Sequence, residues 1–141
     1  MRQYSPATAR QNALDRNPTK VSGTGSASVT GGLTSDIASY TVPAGRAAEL
    51  RVATIAGVVT TALAAGQTAD LQILYQDNIP TSHEVVFIRL PVAAALGTKD
   101  HAEVPGLYLR AAGAITLRGK ESAGAGVTFV SGGFEGIEYD A

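Results

Sequence analysis

The chain of 141 residues contains no cysteine, no tryptophan and a single methionine. Without cysteine it has neither a disulfide framework nor a thiolate metal site, and nothing in it reports the redox compartment. Aromatic residues make up only 6% of the sequence, too few to interleave with basic residues as a base-stacking surface. Neither sign of charge dominates: the net charge is −1, so no global field draws the chain to nucleic acid or to a membrane. No apolar run approaches the ~18 residues of a spanning helix. The first residues lack the apolar core of a secretory signal, and export by that route is not expected.

What is present is small and β-forming. The 45% hydrophobic fraction is swollen by alanine, and there are 16 glycines. The core is therefore expected to be thin, which favours burial of further surface against partner subunits. One stretch organises the rest. In Tyr40-Thr41-Val42-Pro43-Ala44-Gly45, proline and glycine mark a tight turn. In the strand that follows, Leu50, Val52 and Thr54 share one face and Glu49, Arg51 and Ala53 the other. The pattern of Pro43 to Val52 returns in character from Ala64 to Ile73, with a shorter echo from Ala112 to Leu117.

Residues 1–35 read as a separate N-terminal arm. They are polar and Gly-rich, and Arg2, Arg10, Arg16 and Lys20 stand against Asp15. Ser22 to Gly32 reads as linker or edge strand. Either the arm is a free tail, or it orders on a neighbouring subunit. Fully extended, it spans on the order of 110 Å. On this reading a chain cut after residue 30 keeps its fold.

Residues 36–141 form the β domain. Strands are expected at 37–42, 47–55, 58–62, 69–76, 84–90, 106–110, 114–119, 126–131 and 134–139. The run from Val85 to Leu90 suits a strand covered on both sides, and Ala111-Ala112-Gly113 suits a hairpin. The expected inward residues are Leu50, Val52, Leu71, Ile73, Val86, Ile88, Leu107, Leu109, Ile115, Leu117 and Phe129. Short strands with Gly/Pro corners give an all-β fold: an antiparallel β-sandwich of jelly-roll type with an extended N-terminal arm.

Chemistry is sparse. His101 sits in the polar run Lys99-Asp100-His101-Ala102-Glu103, and His83 follows Ser82 without a nucleophile elbow. One histidine among carboxylates is a weak metal site. Gly23-Thr24-Gly25 and Gly124-Ala125-Gly126 lack the strand–loop–helix setting of a phosphate cradle. Arg46, Arg51, Arg89, Arg110 and Arg118 are scattered over different strands. The expectation is a protein that is not an enzyme and uses no cofactor or metal.

The layout as a whole is a polar arm, Tyr40-Thr41-Val42-Pro43-Ala44-Gly45, a short-stranded Ala/Gly-rich β domain, and an end carrying Glu135, Glu138 and Asp140. It resembles the jelly-roll cement, or decoration, proteins of tailed-bacteriophage capsids, above all those of Bordetella-type short-tailed phages. The resemblance covers the whole chain in layout, and its motif is Val42-Pro43-Ala44-Gly45. It implies a virion protein on the capsid exterior, made in the host cytoplasm, that bridges neighbouring major capsid proteins. It also implies self-association, for which a homodimer is expected first and a trimer second. Nucleic acid and membrane are not expected partners. The arm residues Arg2, Arg10, Arg16 and Lys20 are the expected capsid contacts. The competing reading is a phage tail or receptor-binding module for carbohydrate. Such sites present clustered aromatics, whereas Tyr4, Tyr40, Tyr75, Tyr108 and Tyr139 are dispersed.

Overall fold

A computed structural model describes residues 17–78 and 81–141. Its strands are β1 (Thr19–Thr30), β2 (Thr34–Thr41), β3 (Arg46–Thr61), β4 (Ala69–Asn78), β5 (Thr81–Leu90), β6 (Lys99–Ala111), β7 (Ala114–Glu121) and β8 (Val127–Asp140). They make two antiparallel four-stranded sheets, ordered β1-β8-β3-β6 and β2-β7-β4-β5. Only the β4–β5 connection stays within one sheet; the others cross between sheets. Eight strands interleaved in this way are a jelly roll, the fold class expected from the sequence.

Turn chemistry starts several of these strands. Arg46 donates its backbone N–H to the Pro43 carbonyl at 3.1 Å, and Gly45 has φ +82°. Gln67 donates likewise to Ala64 at 3.0 Å, with Gly66 at φ +79°. The third residue of each turn lies in the left-handed region, where glycine carries no Cβ penalty. The sequence repeat is thus a repeated turn, over Pro43–Arg46 and again over Ala64–Gln67. The echo at Ala112-Gly113 differs. There the backbone N–H groups of Ala112 and Gly113 both go to the Gln76 carbonyl, at 2.8 and 3.2 Å. The chain crosses from β6 in one sheet to β7 in the other, so no hairpin forms.

The core lies between the sheets. Leu50, Leu71, Ile73, Ile88, Ile115 and Leu117 are buried as expected, and Phe134 is the largest fully enclosed side chain. Val52 is only half-buried, beside a register shift between Leu50 and Val52 in β3. Leu109 packs on the core from its margin, and the Leu107 side chain lies outside the described part. Two expectations fail. Val86 is 42% exposed because β5 is an edge strand with a register shift opposite Leu71/Gln72, which turns Val86 outward. Phe129 is 39% exposed because Thr128 and Val130 are the inward residues of β8.

The boundary at residue 35 is also corrected. Residues 19–30 are a strand of the sandwich, paired with β8 from Thr19↔Glu138 to Thr30↔Val127. Its inward positions include Gly23, Gly25 and Ala27, because β2 crosses close beneath. A Cβ on Gly25 would lie 2.0 Å from the Ile37 carbonyl oxygen. Small residues there are a packing requirement that reads, in sequence, like a linker.

Candidate functional site

Of the expected capsid contacts, Arg2, Arg10 and Arg16 lie outside the described residues. Lys20 belongs to β1, where its ammonium lies 3.5 Å from the Glu135 carboxylate. Both side chains are well exposed, so the pair contributes at most ~1 kcal/mol.

The first described residue, Asn17, is held by a polar cluster at one end of the sandwich. Arg46 opens β3 directly opposite Asp140 of β8. Its guanidinium meets the Asp140 carboxylate at 2.5 Å and the Glu138 carboxylate at 3.1 Å. It also donates to the Asn17 carbonyl at 2.8 Å. Asn17 in turn donates its side-chain N–H to Asp140 at 2.7 Å. The Tyr40 hydroxyl donates to Glu138 at 2.6 Å. That hydrogen bond, then burial and the Glu138 charge, hold the Tyr40 hydroxyl above its ordinary pKa, against an opposing pull from Arg46. The acidic C-terminal residues are therefore engaged. Glu138 and Asp140 grip Arg46, and Glu135 faces Lys20.

A second cluster fills the opposite end. Gln67 is fully buried, and its side-chain carbonyl accepts from the backbone N–H groups of Ala64 and Gly126, both at 2.9 Å. Its amide donates to Glu121 at 2.8 Å and to the Gly126 carbonyl at 3.3 Å. Glu121 is 2% exposed, and its second oxygen has no partner of good hydrogen-bond geometry. Burial pushes this carboxyl above the ordinary glutamate range, and polar groups of Thr128 and Gln67 pull it only partly back. Sequence reading missed both clusters. The usable signal was the repeat, because Arg46 and Gln67 each follow the turn glycine.

Between the two ends runs the outer face of the β1-β8-β3-β6 sheet. Cross-strand partners share a face, so the register sets Ser26 beside Ser131, Ala56 and His101. The next row is Thr24, Gly133, Thr54 and Glu103. Small and hydroxyl-bearing side chains leave shallow, open depressions. One of them, about 630 Å³, is lined by Val58, Lys99, Asp100, His101, Phe129 and Ser131 among others. The outer face of the other sheet carries ion pairs instead. Arg89 grips Asp70 through two bonds at 2.8 and 3.0 Å, and Arg118 meets Glu84 at 2.7 Å.

The two histidines are not brought together. His101 lies on β6, while His83 lies on β5 of the other sheet, 2.9 Å from Asp77 and against the Tyr75 ring. Among the described residues, no three His, Asp or Glu side chains gather as metal ligands. Gly23-Thr24-Gly25 is strand, and Gly124-Ala125-Gly126 is the loop over Gln67. The described tyrosines form no common platform. Tyr40 is engaged with Glu138, Tyr75 with His83, and Tyr139 stands opposite Ala47 on β3. Chemically, the open face can hydrogen-bond a polypeptide or another hydroxyl-rich surface.

No protein-family profile matches the chain, and no curated protein matches it. Among solved structures it is similar to a chain of infectious bursal disease virus, Gt strain. The identity there is 13% and the TM-score 0.47, over 88% of this chain and 33% of that one. It thus spans about a third of the length of that viral chain. It is also similar to a chain of the cyanophage Pam1 capsid asymmetric unit, at 15% identity and TM-score 0.43, over 83% and 85%. A third likeness is to the CBM22-1–GH10 modules of Clostridium thermocellum xylanase 10B, at 14% identity and TM-score 0.44, over 80% and 24%.

Proposed function

We propose that this chain is a structural virion protein. It binds the outside of a bacteriophage capsid and bridges neighbouring major capsid proteins as a cement, or decoration, protein. The observation that carries the reading is the locked arm root. Asn17 is fixed to β3 and β8 through Arg46 and Asp140. The preceding residues, with Arg2, Arg10 and Arg16, therefore join a rigid platform at a set point. A clamp needs a stiff body, a basic segment to lay on an acidic neighbour, and open faces rather than an enclosed pocket. The shallow hydroxyl-lined face and the ion-paired opposite face meet that need. On this reading the protein is not an enzyme, needs no cofactor, self-associates and resides on the capsid exterior. Many copies per shell make modest contacts act together.

The test is co-sedimentation with shells of the parent phage assembled without this protein. The full chain is expected to pellet with shells and to raise their disruption temperature. A full chain that stays in the supernatant overturns the reading.

A further inference from the structure

We infer that the end of the sandwich opposite the arm root is a second contact surface, which seats an apolar, uncharged patch of a capsid protein. The inference rests on the cement reading and adds to it the chemistry and place of the second attachment.

Four connections gather at this end: 31–33, 62–68, 91–98 and 122–126. Not one of them contains a charged residue, in a chain that is 16% charged. Backbone bonds tie them into one platform. Gly32 donates to Ser122 at 3.0 Å, Ser122 to Thr68 at 3.0 Å, Leu63 to Ala94 at 2.9 Å and Ala93 to Gln67 at 3.0 Å. The buried Gln67 and Glu121 pair braces it from below. On this stiff base Leu33, Val92 and Leu96 stand 59%, 60% and 68% exposed. Large apolar side chains held on rigid loops without charge lose little polar hydration when covered.

Three occupants would suit an apolar surface, and the composition and size choose among them. Loops that dip into a bilayer carry Lys, Arg, Trp or Tyr at the headgroup level, and these four connections carry none. A second copy packed end to end through this patch would bury no other described surface. Two sheets ~10 Å apart and four strands at ~4.8 Å spacing give an end of roughly 200 Å² between the sheet planes, and about twice that with the outer side chains. That is below the ~800 Å² per partner of a stable interface. A capsid protein needs no such area, because the arm supplies a second tether on the same rigid body and raises the effective concentration of this one. The tethers are separated by β1, whose 12 residues span about 40 Å. Contacts at opposite ends of a rigid body are what bridging requires. The arm contact is ionic and weakens with salt, whereas this one does not.

The experiment compares the full chain with a Val92→Asp/Leu96→Asp variant, and with Leu33→Asp on a separate loop. Co-sedimentation with shells lacking the protein is measured at low and high salt. These side chains are exposed, so an unchanged thermal midpoint is expected. Both variants are expected to bind shells on the order of tenfold or more weakly, by a similar factor at both salt levels. Equal binding by variant and parent overturns this inference and leaves the cement reading standing. A parent chain that binds no shells overturns both. A parent dimer that the variants split, or flotation of the parent with phosphatidylcholine vesicles that the variants abolish, assigns the surface to another occupant and overturns the inference as well.

Discussion

Arg46 and Gln67 hold the same place in two copies of one turn, and each answers a glutamate from a neighbouring strand. Gln67 is the more exacting case because it is fully buried and satisfies two backbone N–H groups and a carboxylate. Gln67→Ala leaves all three without that partner, at ~1–3 kcal/mol for each buried group. A loss of about 3 kcal/mol or more is expected in urea unfolding. Glu121 sets a pH dependence. Its folded pKa is raised by burial above the ordinary value of 4.5. Its favourable contribution is therefore complete below that value and is lost as pH rises through the folded pKa. Glu121→Gln keeps an acceptor for Gln67 and removes the ionisation. Urea midpoints of the variant are expected to lose this downward slope and to exceed those of the parent at neutral pH. Neither cluster could be paired from sequence, since Gln67 and Glu121 are 54 residues apart and Arg46 and Asp140 are 94 apart.

Strands were legible where their inward residues are large. In β4 and β7 the alternation of Leu71 and Ile73, and of Ile115 and Leu117, is plain, and all four are buried. It failed where packing asks for something else. β1 turns Gly23 and Gly25 inward under the crossing of β2, so its strand period is silent. β8 sends Thr128 inward and Phe129 outward, against hydropathy. In β5 the apolar run comes from a register shift at an edge and not from cover on both sides. The expected stabilities follow. Leu71→Ala is expected to cost about 2–5 kcal/mol. Val86→Ala and Phe129→Ser are expected to stay near the ~0.5 kcal/mol of surface changes. Gly25→Ala must push apart two backbones and is expected in the upper part of the ~1–3 kcal/mol range for overpacking. Chemical denaturation of the four variants checks the register strand by strand.

For the whole molecule, the corrected boundary changes where the arm can be removed. Deleting 1–30 takes away β1 and its pairing with β8, so that truncation is expected to unfold or aggregate, contrary to the sequence reading. Deleting 1–16 stops short of the Arg46 cluster. It is expected to leave the thermal midpoint nearly unchanged while weakening shell binding, most clearly at low salt where Arg2, Arg10 and Arg16 act. If the shortened chain decorates shells as tightly as the full one, the basic segment has no part in attachment. Sedimentation velocity at micromolar concentration tests self-association, for which a dimer is expected.

β8 is made after the other seven described strands, yet it lies inside its sheet, with β1 on one side and β3 on the other. A nascent chain thus displays β1 and β3 with no strand between them until residue 140 has left the ribosome. At ~5–20 residues per second that interval lasts several seconds. During it the open edges on neighbouring nascent chains can pair with one another. Yield in the cell then depends on how long these edges stay open and how closely nascent chains are spaced, and a lower initiation rate, which thins the polysome without slowing elongation, should recover more of the protein than any substitution that only deepens the final energy minimum.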